Sequence, residues 1–146
     1  MKKYLVFIAI IITVQLQAQT ATTPKQQAVQ QTIQNMFEAL SNRDAVALKN
    51  YCAPDMRLIE YGQPWTLDTL IDKAITQNKL ANFKRSNHFD FIYTTVNHKT
   101  AWASYYLTSE FTIDTMHKSL YWIETVVLVE VKGNWQLKHL HSTLIK

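Results

Sequence analysis

The chain has 146 residues, 47% hydrophobic and 12% aromatic, with a formal charge of +4 from 15 Lys and Arg against 11 Asp and Glu. That length argues for one domain, and the composition excludes the disordered class. Two Gly exclude a glycine-rich phosphate cradle, and one Cys excludes an internal disulfide or a cysteine metal cluster.

Residues 1–18 read as a signal peptide. Lys2 and Lys3 form a basic start, YLVFIAIIITV is an apolar core too short for a comfortable membrane span, and Ala18 is a small residue at the expected cut. An exported protein, periplasmic or secreted, follows from this reading, with no stable membrane anchor after cleavage. Losing Lys2 and Lys3 takes the net charge from +4 to +2, and Lys84-Arg85 is the one basic pair, so no nucleic-acid partner is expected.

Residues 19–25 are a polar lead-in, and 26–146 form the domain. A helix over 26–44 carries Val29, Ile33, Met36, Phe37 and Leu40 as one apolar stripe. Asp44 caps a short second helix, AVALKNYC, closed by Pro54. MRLIEY, at 56–61, is a strand ended by Gly62 and Pro64. Thr66 caps a third helix over LDTLIDKAITQNK, at 67–79, with Leu67, Leu70, Ile71, Ala74 and Ile75 as its stripe.

From Phe83 the chain turns to β-branched and aromatic residues. Four long strands follow, separated by turns at 97–99, 114–118 and 132–134. Helices first and antiparallel strands later define an α+β fold, with the N-terminal helices packed on a curved, mainly antiparallel sheet. In the closing hairpin a two-residue turn, either Gly133-Asn134 or Lys132-Gly133, puts Trp122, Glu124, Val126 and Leu128 on one face with Leu137, His139, His141 and Thr143. A bulge would reverse that assignment.

Candidate ligand-binding residues follow from this parity. Glu124, His139 and His141 form a potential polar cluster, able to orient a ligand, to move a proton or simply to satisfy one another. Two His and a carboxylate also fit a metal triad by type, but nothing fixes Glu124 near them, so no metal or other cofactor is expected. Glu60 ends the first strand, where a carboxylate in apolar surroundings would have a raised pKa. Tyr61 and Trp65 are placed to wall a pocket mouth. Trp102, Tyr106 and Trp122 are aromatic candidates for the pocket wall, for the core or for a dimer surface. Cys52 reads as a small buried residue.

Two stretches carry a resemblance. MFEALSNRDAVALKNYCAPD at 36–55, and Glu124-Thr125 followed by WQLKHLHST at 135–143, resemble the nuclear-transport-factor-2-like superfamily, which includes SnoaL-like cyclases and ketosteroid isomerase. The second stretch is similar to the association domain of calcium/calmodulin-dependent protein kinase II and its small secreted relatives. The resemblance implies a cone-shaped fold with a pocket between helices and sheet, and homodimers formed through the sheet. Hub-type domains carry arginines in the closing hairpin, where this chain has Val126 and Ser142. Ketosteroid isomerase holds an oxyanion with a Tyr where this chain has Met36, and its base lies near the place of Glu60. The function implied is binding of a small, partly apolar molecule or self-association, without demonstrated catalysis. An isomerase- or cyclase-like enzyme using Glu60 or the Glu124/His139/His141 cluster is the alternative, and a structural dimerisation module is the third.

Overall fold

A computed structural model describes residues 22–145, so the signal-peptide reading lies outside the described residues. The elements are α1 (Pro24–Ser41), α2 (Ala45–Tyr51), β1 (Cys52–Glu60), β2 (Gln63–Thr66), α3 (Leu67–Ile71) continued by a π-helical turn (Asp72–Thr76), β3 (Phe83–Asn97), β4 (Thr100–Ile113), β5 (Met116–Val131) and β6 (Asn134–Leu144). The six strands form one sheet in the order β2-β1-β6-β5-β4-β3. All neighbours are antiparallel except β1 with β6. The fold is α+β with the helices gathered at the N-terminus.

Local chemistry explains the boundaries. Thr23 and Gln26 close a capping box on α1, and Pro24 sits at its first position, where a missing N–H costs nothing. Asp44 accepts from the amides of Val46 and Ala47 to start α2. All five residues of the expected α1 stripe are buried. They meet Ala101, Ala103, Tyr105 and Leu107 of β4 and Val126 and Leu128 of β5 in one core. Phe37 anchors that contact edge-on, with ring centroids 5.4 Å from Phe89 and 6.5 Å from Tyr105.

Several boundaries differ from the expectation. β1 begins at Cys52 and includes Pro54, and Pro64 lies in β2, an edge strand where a proline is tolerated. Tyr61 and Gly62, both at positive φ, make the two-residue turn between them. The third helix is α-helical only to Ile71 and then loosens into the π-helical turn.

The closing hairpin carries the decisive correction. Lys132 and Gly133, both at positive φ, form its turn, with Val131 opposite Asn134. The register holds to Leu128 opposite Leu137 and then slips, so that Val127 faces His139 and Glu124 faces Ser142. Lys138 is the extra residue of this β-bulge. Because side chains alternate, one extra residue moves every later side chain to the other face. Leu140 and Ser142 therefore join Trp122 and Glu124 on the buried inner face, while His139 and His141 lie on the outer face beside Arg57 and Ile59 of β1. A second bulge in β3, at Ile92, lies between Phe91 opposite Tyr105 and Tyr93 opposite Ser104.

Candidate functional site

A cavity of about 730 Å³ opens between the C-terminal half of α1, the α3 and π-helical segment, and the inner face of the sheet. Its walls are mostly apolar: Met36, Phe37 and Leu40 from α1, Leu70 from α3, Leu58 and Leu140 from the β1–β6 seam, and Phe83, Phe111, Leu120 and Trp122 from the long strands. Tyr61 and Trp65 line it as well, and Tyr61 meets Trp122 edge-on at 5.5 Å. The segment from Lys73 to Leu80 borders the cavity. Arg43, held at positive φ, donates from Nη1 to the carbonyls of Asn78 and Leu80, both at 3.0 Å, and pins that border in place.

Glu60, Arg85 and Glu124 converge on this apolar space from the sheet, and Lys73 and Lys79 line it from the opposite border. Alternation from Met56 and Leu58, both buried, turns Glu60 inward at the end of β1. Glu124 sits mid-sheet on β5, with Tyr105 opposite on β4 and Ser142 opposite on β6. Ser142 Oγ donates to Glu124 Oε1 at 2.8 Å. Glu124 Oε2, Tyr105 Oη and Trp122 Nε1 are buried with no hydrogen-bond partner among the described residues. Burial pushes the Glu124 carboxyl up to about 7. Nearby Tyr105 and Ser142 oppose the rise, Glu60 adds to it, and Arg85 opposes it. Glu60 is raised by the same desolvation, against the pull of Ser142 and Arg85.

Arg85 is the residue the parity argument passed over. It lies between the faces of Phe37 and Phe111, 5.4 and 5.2 Å from the ring centroids. Its Nε donates to Asn87 Oδ1 at 2.9 Å and its Nη2 to Ser109 Oγ at 3.0 Å. Ser109 in turn donates to Asn87 at 2.9 Å, and Asn87 donates to Ser41 on α1 at 2.8 Å. The signal was present in the sequence: Phe83, Arg85, Asn87, Phe89 and Phe91 alternate in FKRSNHFDF, so a guanidinium shares a face with four residues that belong inside.

Of the seven candidate ligand-binding residues, the structure brings Glu60, Trp122 and Glu124 together around the cavity. It does not bring the other four there. Trp102 and Tyr106 lie on the outer face of β4, opposite Val127 and Ile123, because buried Ala101, Ala103, Tyr105 and Leu107 occupy the inner positions. His139 and His141 are carried outward by the Lys138 bulge, so the Glu124/His139/His141 cluster does not form. Among the described residues no group of three His, Cys, Asp or Glu is placed to hold a metal ion. Cys52 is buried, and desolvation pushes its thiol up to about 12, which leaves it unreactive as a nucleophile at neutral pH.

The comparisons agree on the fold. The family model described as a SnoaL-like domain matches residues 29–145. Among solved structures, a nuclear-transport-factor-2-like protein from Cytophaga hutchinsonii is similar at TM-score 0.70 and 17% identity, covering 84% of this chain and 100% of that one. A ketosteroid isomerase-like protein from Erwinia carotovora atroseptica is similar at TM-score 0.68 and 13% identity, with 85% and 98% covered. The calcium/calmodulin-dependent protein kinase II hub of S. rosetta is similar at TM-score 0.67 and 22% identity, with 84% and 98% covered. No curated protein matches the chain. With the helices, the mainly antiparallel sheet and the inner cavity in place, the chain belongs to the SnoaL-like family, and its fold is like that of the nuclear-transport-factor-2-like protein.

Proposed function

We propose that this is an exported protein that binds a small, largely apolar molecule in its inner cavity. The observation that carries the reading is the cavity of about 730 Å³, walled by Phe, Leu and Trp side chains and holding Glu60, Arg85 and Glu124. Pockets of this size and make-up, apolar with a few convergent polar groups, suit ligands of a few hundred daltons. Export rests on the basic start and apolar core of residues 1–18. Native mass spectrometry of protein purified from its own compartment tests both parts. The expected result is a chain beginning near residue 19 with a retained small molecule. A chain that begins at Met1 and carries no adduct defeats both.

One observation favours an enzymatic second reading. Glu124, pushed up to about 7, shares the cavity with Glu60, so one carboxyl group near neutrality is placed to exchange a proton. Deuterium incorporation from heavy water into enolisable ketones, lost in Glu124→Gln, is the outcome this reading requires.

We also propose self-association through the outer sheet face. That face exposes Ile92 at 50%, Tyr93 at 48% and Trp102 at 36%, and carries the stacked pair Tyr106 and Tyr121 at 5.5 Å. Aromatic residues in such number on a solvent-facing sheet fit the centre of an interface. The hub domain named above is consistent with it.

A further inference from the structure

Arg85 is a cation without a local counter-ion. The guanidinium is enclosed by two aromatic rings, and its two fixed hydrogen bonds go to neutral acceptors, Asn87 and Ser109. Its Nη1 has no hydrogen-bond partner, and no carboxylate lies within ion-pair distance, among the described residues. Glu124 and Glu60 act on it only through space, offsetting part of what burial costs its charge. A partly buried guanidinium left in this state is normally completed by an anion.

The surroundings narrow the anion. Glu124 and Glu60 act on Arg85, while Lys73 and Lys79 only line the cavity border, so the place beside the guanidinium suits a singly charged anion better than a doubly charged phosphate. A single planar carboxylate matches the open edge of the guanidinium fork. The rest of the ligand would lie against Phe37, Phe111, Leu120 and Trp122, which line the same space. Glu124 lines the cavity from β5, and its Oε2 is buried with no hydrogen-bond partner among the described residues. In its protonated form it would be a hydrogen-bond donor to the incoming carboxylate.

We infer that the natural ligand is a monocarboxylate with an apolar body, its carboxylate on the free edge of Arg85 and its binding coupled to proton uptake by Glu124. This rests on the cavity being a ligand site and deepens that reading. The groups acting on Glu124 are Glu60 at the β1 end, Arg85 on β3, Tyr105 on β4 and Ser142 on β6, with Tyr61, Lys73 and Lys79 lining the cavity. Arg85 keeps its charge throughout the neutral range, and Tyr61 and Tyr105 are raised, so the carboxyl groups alone are available to take up the proton.

Isothermal titration of the full chain with two matched pairs tests this: 1-naphthaleneacetate against 1-naphthaleneacetamide, and octanoate against octanamide. The carboxylate of each pair should bind at least about tenfold tighter at pH 7. Arg85→Gln should remove that difference while leaving amide binding in place, and Arg85→Lys should restore part of it. Titrations at pH 7.5 in two buffers of different ionisation enthalpy should show proton uptake for the carboxylates, absent in Glu124→Gln. If the amides bind as tightly as the acids to the unaltered protein, the carboxylate assignment is overturned and the cavity reading stands. If neither member of either pair binds at millimolar concentration, the cavity reading falls and takes the assignment with it. Tighter acid binding without proton uptake overturns the coupling to Glu124.

Discussion

Ser142 Oγ donates a 2.8 Å hydrogen bond to Glu124 Oε1, while Glu124 Oε2, equally enclosed, receives none from the described residues. A half-satisfied buried carboxyl group is most stable with its proton on. Its ordinary value is 4.5, and burial raises it in the folded chain to about 7. A raised carboxyl group contributes stability that is fully present below pH 4.5 and is lost as the pH rises through 7. Glu60, raised by the same cause, acts in the same direction. Urea denaturation should show a loss of about 2 to 3 kcal/mol from Glu124 between pH 5 and pH 8. Glu124→Gln should flatten that dependence and leave the protein more stable than the parent at pH 8.

The bulge at Lys138 sets what the cavity contains. Deleting Lys138 would turn Leu140 and Ser142 outward and drive His139 and His141 into the core. The expected cost is about 4 kcal/mol or more, or failure to fold. Lys138→Ala keeps the extra residue and gives up only the exposed ion pair with Asp55, so it should scarcely move the denaturation midpoint. A deletion as stable as the parent would show that the strand tolerates either parity.

Arg43 fastens the cavity border by two hydrogen bonds from one guanidinium nitrogen to the backbone at Asn78 and Leu80. Arg43→Ala should raise amide hydrogen exchange across residues 77–82 by about tenfold, with little change in the sheet. Exchange in β4 and β5 gives the internal control, because their amides are paired along the full ladder.

Trp102 is the exposed ring in mid-face on β4, and its cross-strand neighbours are Thr95 and Val127. Trp102→Glu should weaken self-association by at least about tenfold in sedimentation experiments. The far-UV circular dichroism should stay that of the parent, because the ring supports none of the inner core. A parent protein that is monomeric at micromolar concentration rules out this use of the outer face.

Much of the fold was legible because periodicity reports burial directly. The α1 stripe, the caps at Asp44 and Thr66 and the turns near 98, 114 and 132 all followed from residue types that the backbone demands. Glu60 and Glu124 are carried inward by plain alternation within one strand. The faces of His139 and His141 are not legible, because parity across a hairpin is reversed by a single bulge that leaves no mark in composition. Apolar spacing over 67–79 predicts one α-helix, but the change to i→i+5 bonding after Ile71 leaves no mark in residue type. Arg85 looks in the sequence like half of a basic pair, yet it is an inward residue of an alternating strand whose neighbour Lys84 points the other way.

The order of strands has a consequence for how the chain is made. β6 lies between β1 and β5, joining the helical half of the molecule to the long β3–β4–β5 meander. Until residues 134–144 have cleared the ribosome, the two halves share no strand ladder and the inner cavity has no seam at Leu58 and Leu140. Completion of the single sheet and of the cavity wall therefore depends on the last strand of the domain.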